Sequence, residues 1–221
     1  MRASDSIDAD DASLPSVDEL DLLDWRRRVS ELYADVRAAS DPVAGWRRWC
    51  ETRRQLLREH PQSPVPTDAR NTFGGPFVYD YDPGWRLLAE VKRTDEQPLE
   101  LPSSVGKAMA FRRFAQAHAD GLVLDMYWLE GYGGGLFVPF ADATSGAETY
   151  GAGRYVLDTV KGSDLGAEDD RLVLDFNFAY QPSCSYDDRW ACPLAPPANR
   201  LDVRVEAGEW LGPASSSGDR T

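Results

Sequence analysis

The residues best equipped for chemistry crowd into one stretch, Phe137 to Tyr155, where Asp142, Thr144, Glu148, Thr149, Tyr150, Arg154 and Tyr155 fall within fourteen positions. The carboxylates could donate or accept protons, and the guanidinium could grip a carboxylate or phosphate with two parallel hydrogen bonds. If the stretch is a regularly paired strand, its period of two puts Glu148, Tyr150 and Arg154 on one face. Arg154 then either clamps an anionic ligand or pairs with Glu148 or Asp142 and only fixes a hairpin. Gly146, Gly151 and Gly153 suit a tight turn, and they also let a ligand approach the backbone. The run Gly131-Tyr132-Gly133-Gly134-Gly135 is not a phosphate loop, because no Gly-Lys-Ser/Thr follows it.

A second cluster runs from Asp175 to Pro193. Asp175 and Asn177 alternate with Phe176, Phe178 and Tyr180, so phenyl rings facing a core would leave the two polar groups sharing the other face. Should catalysis occur, Glu148 with Asp175 is the acid–base pair best suited to hydrolase or lyase work, tuned by burial. Asp142, Thr144, Tyr150, Arg154, Tyr155, Asn177 and Tyr180 are the candidate ligand-binding residues. Nucleophilic catalysis reads poorly: there is no Gly-x-Ser-x-Gly elbow, His60 sits in a proline-rich connector, and His118 lies beside Asp120 in an expected turn. Cys184 and Cys192 are too sparsely accompanied for zinc, so neither a metal nor another cofactor is expected. The pair reads as a disulfide or redox couple, or as two buried thiols that never react, which a reducing cytosol favours.

Composition narrows the partners. Acids outnumber bases 37 to 24, for a net charge of −13, and the bases are 21 Arg against 3 Lys. Such a surface repels nucleic acid and anionic membranes, both of which need basic patches. It suits a salt-adapted cytosolic protein, since concentrated salt screens the self-repulsion. An ordinary acidic protein of a GC-rich genome would also favour Arg over Lys. No apolar run approaches the ~18 residues of a membrane span, and the first twenty residues lack the apolar core of a signal peptide.

These clusters need a frame to position them. Residues 1–15 are acidic and too apolar-poor to order themselves, and 212–221 fray in the same way. Between them, 16–60 predicts two helices. The first opens at Ser16 with Glu19 in capping-box spacing and carries Leu22, Trp25, Val29, Leu32, Tyr33 and Val36 as its stripe. The second opens at Asp41-Pro42, carries Trp46, Trp49, Cys50, Leu56 and Leu57, and stops at His60-Pro61. An arginine face, including Arg47, Arg48, Arg53 and Arg54, is expected to lie outside. From 61 to 211 come short β-like segments at spacings near ten residues: 77–81, 85–91, 107–116, 122–130, 136–140, 154–157, 171–176 and 201–205. Phe111 to Ala119 could equally be helical. The whole predicts an α+β, mainly β chain: two helices, then an antiparallel β-barrel or β-sandwich.

One family fits these residues. His60-Pro61-Gln62-Ser63-Pro64, Tyr81-Asp82-Pro83, Phe137-Val138-Pro139-Phe140, Glu148-Thr149-Tyr150-Gly151-Ala152-Gly153-Arg154-Tyr155, Asp175-Phe176-Asn177, Cys192-Pro193-Leu194 with Asn199, and Ala207-Gly208-Glu209 together resemble domain-of-unknown-function family 1684, over roughly His60 to Glu209. Where relatives tend to read Asn-Pro-Tyr-Cys, this chain has Gln181-Pro182-Ser183-Cys184. The resemblance implies no activity, but it supports treating the two clusters as one site. The expected function is a soluble β-domain binding a small polar or anionic molecule, with the acid–base enzyme and a ligand-free structural polar core as alternatives.

Overall fold

The computed structural model describes residues 18–213; the acidic tail expected over 1–15 and most of the tail over 212–221 lie outside them. Helix α1 (Asp18–Ala38) starts with Asp18, Glu19 and Asp21 in its first turn and carries Arg37 in its last, charges that complement the helix dipole. Ser16, its expected cap, lies outside the described residues. Helix α2 (Pro42–Glu59) is capped by Asp41, which accepts a hydrogen bond from Val43 N at 3.0 Å with proline in the first turn, and it stops at His60.

The strands follow: β1 (Phe77–Val78), β2 (Arg86–Pro102), β3 (Ala108–Ala119), β4 (Leu122–Leu129), β5 (Gly135–Phe140), β6 (Arg154–Asp158), β7 (Ala167–Glu168), β8 (Arg171–Asp175) and β9 (Glu209–Trp210). Seven of them form one antiparallel sheet in the order β6-β5-β4-β3-β2-β8-β7, and β1 pairs with β9. The sheet curls into a half-barrel, so the protein is α+β and mainly β. The long strand β2 drives the curl: its first part pairs with β8, and an irregularity between Arg93 and Gln97 interrupts its pairing with β3. Such bulges bend a strand and increase its twist. Asp120 (φ 46°) and Gly121 (φ 81°) close the β3–β4 hairpin with left-handed backbone at both positions, the chemistry of a two-residue turn.

One buried apolar cluster links helices and sheet: Leu32, Tyr33 and Trp49 share it with Phe111, Phe137, Phe140, Tyr155, Phe176 and Phe178. Trp49 meets Phe178 edge-to-face at 5.6 Å, and Phe140 meets Phe176 at 5.0 Å.

The strand expected over 107–116 is present and runs on to Ala119; the helical alternative for Phe111 to Ala119 is excluded, because the pairing of β3 with β2 and β4 overrides its alanines. Two local expectations change. Residues 201–205 are not a strand but an extended strap: Leu201 N donates to Ala141 O and Ala143 N to Val203 O. Residues 142–153 form turns instead of a regularly paired strand, so the alternation expected of Glu148, Tyr150 and Arg154 does not apply.

Candidate functional site

Arg154, at the start of β6, is wholly enclosed. Its guanidinium donates to the carbonyls of Val205, Ala207 and Glu209 and reaches Asp142 Oδ1 at 3.5 Å. Its Cζ lies 5.0 Å from the Phe140 ring centroid. Burial pushes its pKa down, with Asp142 opposing. Asp142, equally buried, also accepts from Val205 N at 2.7 Å, Thr144 Oγ1 at 2.9 Å and Ser145 Oγ at 3.1 Å. Thr144 in turn shares a 2.9 Å bond with Thr149. Asp142, Thr144 and Arg154 are therefore brought together as one buried network around a backbone strap, with the Arg154 Nε–H alone lacking a partner among the described residues. Glu148 stands apart at the surface. Arg204 holds its carboxylate at 2.7 Å, the Tyr79 hydroxyl donates to it at 3.2 Å, and the Arg204 bond pulls its pKa down. Tyr150 is half-buried, and burial raises its hydroxyl pKa.

Asp175 and Asn177 do meet, through a turn and not through strand alternation. Asp175 caps the 3-10 turn Phe176–Phe178, accepting from Asn177 N at 3.0 Å and from Asn177 Nδ2 at 2.8 Å. The Asn177 amide bridges to both backbone groups of Asp82. Burial raises the Asp175 pKa, against those hydrogen bonds and Arg86. Asp175 lines a cavity of about 170 Å³ with Arg37, Arg86 and Glu168, and Glu148, Arg154 and Asn177 are not among its walls.

The two segments touch at another place. Tyr155 N donates to Tyr180 O at 3.0 Å, Tyr180 N donates back to Tyr155 O at 3.1 Å, and their rings meet edge-to-face. The Tyr180 hydroxyl donates to Asp158 at 3.3 Å, and burial raises both tyrosines' pKa values. Tyr180 then forms part of a cavity of about 50 Å³ between the helices and the half-barrel, walled also by Trp25, Trp49, Arg53, Lys161, Ser163 and Gln181. A second hollow of about 150 Å³ adjoins it, sharing Trp25, Pro64, Lys161 and Ser183.

Arg53 dominates this cavity. Its side chain is 14% exposed and forms an ion pair with the fully buried Glu209, Nη2 to Oε2 at 3.1 Å. Its Cζ lies 4.7 Å from the Tyr180 centroid and 5.9 Å from that of Trp49, within cation–π range. Burial works against its charge, but Glu209 keeps it protonated and raises its pKa overall. Glu209 also accepts from Gln181 N at 2.8 Å and from the Tyr186 hydroxyl at 3.4 Å. Two buried cavity-wall atoms, Ser163 Oγ and Gln181 Oε1, find no hydrogen-bond partner among the described residues. Each such orphan costs about 1–3 kcal/mol.

Of this cavity only Tyr180 was among the sequence candidates. Arg53, expected on the outward arginine face, points inward. Its spacing signals this, for Arg53 is four residues after Trp49 and three before Leu56, on the same helical stripe. Lys161, Ser163 and Gln181 carry no comparable local signal.

The fold and the cavity define a helix-capped half-barrel with a small polar, aromatic hollow at the junction. A family described as "Protein of unknown function (DUF1684)" matches residues 71–210, and the chain belongs to that family. The solution NMR structure of an uncharacterized protein from Haloarcula marismortui is similar at 34% sequence identity, with a TM-score of 0.52, over 73% of this chain and 89% of that one. A search of curated proteins finds no match. Among the described residues no helix is long and apolar enough to cross a membrane, and no group of three or more His, Cys, Asp or Glu side chains could hold a metal ion.

Proposed function

We propose that the protein binds a small polar or anionic molecule in the hollow between its two helices and the half-barrel. The observation that carries this reading is the pair of orphaned atoms, Ser163 Oγ and Gln181 Oε1, in the wall of one cavity. Buried polar groups almost always have partners, so a cavity with two unmet ones asks for a guest. The aromatic faces of Trp25, Trp49 and Tyr180 would hold its apolar body. Lys161 is the adaptable cation: it lies 3.6 Å from Asp158 with 42% of its side chain exposed, whereas Arg53 is committed to Glu209. The two adjoining hollows together suit a ligand of few heavy atoms.

Within this reading, Asp142, Thr144 and Arg154 support the site from behind the strap, and Tyr180 touches the ligand. The acid–base alternative is weaker. Its two carboxylates would have to converge on one water or bond, but Glu148 is held by Arg204 at the surface and Asp175 opens onto a different cavity. Salt adaptation and a cytosolic setting remain part of the proposal and rest on the charge of −13.

The test is native mass spectrometry and thermal-shift screening of the purified protein against small carboxylates, amides and heteroaromatic compounds. A retained molecule is expected, lost on Trp25→Ala with the fold intact by circular dichroism. A crystal structure holding only ordered water in the cavity, with no screened compound raising Tm, would defeat the proposal. A cavity of this size can hold water without a ligand, which is why that outcome decides.

A further inference from the structure

The ligand proposal leaves two cysteines unused, and the fold sets them against each other. Cys184 sits in the 3-10 turn Ser183–Ser185, and its backbone N–H donates to Cys192 Sγ at 3.3 Å. The return of the loop is pinned: Cys192 N donates to Ser104 Oγ at 3.0 Å, and Ser104 N donates to Cys192 O at 2.9 Å. Both side chains are buried, at 3% and 1% exposure, and neither is in a disulfide. They are nonetheless not sealed, because Cys192 lines the hollow of about 150 Å³ with Trp25, Lys161, Ser183 and Trp190.

From this arrangement we infer that Cys184 and Cys192 are a reactive dithiol, oxidised by small hydroperoxides to an internal disulfide and restored by an external thiol.

The electrostatics agree with the geometry. The pair gives up its first proton readily, since the resulting thiolate accepts hydrogen bonds from the neighbouring thiol first and from the Tyr150 and Ser104 hydroxyls; Cys184 is drawn down to about 6. The second proton is correspondingly hard to remove from Cys192, although the Lys161 charge and the Cys184 N–H both help. One negative charge is thus shared between two sulfurs. Cys50 makes a contrast within the same chain: alone and desolvated, it is pushed up to about 12. Thiolate character is what makes a cysteine oxidisable.

Cys192, whose side chain lines the hollow, passes its proton to the Cys184 thiolate as its sulfur attacks one peroxide oxygen; the O–O bond breaks, and the departing hydroxide takes the proton back from Cys184 to leave as water. The sulfenic acid left behind is attacked by the second sulfur, which forms the S–S bond and expels another water. Two thiols and one hydroperoxide yield one disulfide with two waters, or with water and an alcohol. Two equivalents of an external thiol reverse it by exchange. The hollow admits a molecule of hydrogen peroxide's size, whereas a tripeptide disulfide would have to open the loop.

The experiment uses the full chain with Cys50→Ser, treated with hydrogen peroxide under native conditions and read by intact mass and peptide mapping. The expected result is loss of two hydrogens, a cross-link between the peptides holding Cys184 and Cys192, and full reversal by dithiothreitol. Cys184→Ser or Cys192→Ser in that background should abolish the cross-link and leave a sulfenic acid that dimedone traps. Retention of both free thiols after excess peroxide, or cross-linking only once the protein is unfolded, would overturn the inference. Either of those results is read on the Cys50→Ser protein alone, so a second variant that fails to fold does not obscure it.

Discussion

Two arginines point inward, Arg154 fully buried and Arg53 with 14% of its side chain exposed, and they hold the same short segment in different ways. Arg154 takes the main chain of the strap, donating to the carbonyls of Ala207 and Glu209 and to that of Val205. Arg53 takes the side chain of Glu209. Gly208 between them is required: at φ 75°, an added Cβ would fall 2.4 Å from Ala179 O and 2.7 Å from Phe176 O. Around Arg154 both Nη groups donate and only the Nε–H is left over, and none of the cavities described above reaches it. Around Arg53 there is an ion pair, two aromatic faces and a cavity with orphaned polar atoms. A polar cluster closed on itself specifies a fold; one that borders empty space with unmet groups has room for a partner.

The largest expected effect separates the two. Arg154→Met strands Asp142 in the interior and should cost about 3–5 kcal/mol, read as a fall in the urea midpoint. Adding Asp142→Asn should recover little, because three carbonyls stay without their donor. Recovery to near wild-type stability would break the comparison at the Arg154 side.

Arg53→Met alone should cost a similar ~3–5 kcal/mol by leaving Glu209 charged and unpaired. Here the second change, Glu209→Gln, should restore most of the loss. A hydrogen-bonded charge pair can be replaced by neutral groups nearly without cost when no other polar partner is orphaned. A double-mutant cycle in denaturant checks this. If the double variant is as unstable as the single, Arg53 is as structural as Arg154.

Asp175→Asn probes the third polar cluster and has a pH signature. Burial raises the Asp175 pKa in the folded state. Folding therefore carries no penalty for this group at low pH, and stability is lost as pH rises through the raised value. The Asn variant should match the wild type in acid and exceed it by a modest margin at neutral pH, seen in Tm across a pH series. A variant weaker than wild type at pH 7 would mean that the carboxylate's bonds to Asn177 and Tyr81 outweigh its desolvation.

Glu148→Gln is the smallest. The carboxylate is at the surface in the grip of Arg204, and exposed pairs contribute little. Its unfolding midpoint should be indistinguishable from wild type.

Much of the architecture was legible before any coordinates. The stripe Leu22–Trp25–Val29–Leu32 and the Asp41-Pro42 start announce the helices, because a helix repeats locally. The Asp120-Gly121 turn and the alternating strands announce antiparallel pairing for the same reason. The candidate site was legible only in part. The sequence places Arg154 near Asp142, and their contact survives, but it could not say that three carbonyls from a strap fifty residues away would join them. It reads Arg53 as outward although Arg53 shares the stripe of Trp49 and Leu56; what that stripe does not reveal is that Glu209 arrives from the far end of the chain to neutralise it.

By itself the sequence determined the element types, the acidic and lysine-poor surface and the membership of its family, all of which follow from local periodicity, composition and short motifs. Only the tertiary structure decided which buried charges close on themselves and which border a hollow. That outcome depends on the desolvation and pairing of groups more than a hundred residues apart, such as Arg53 with Glu209. No short-range pattern encodes it.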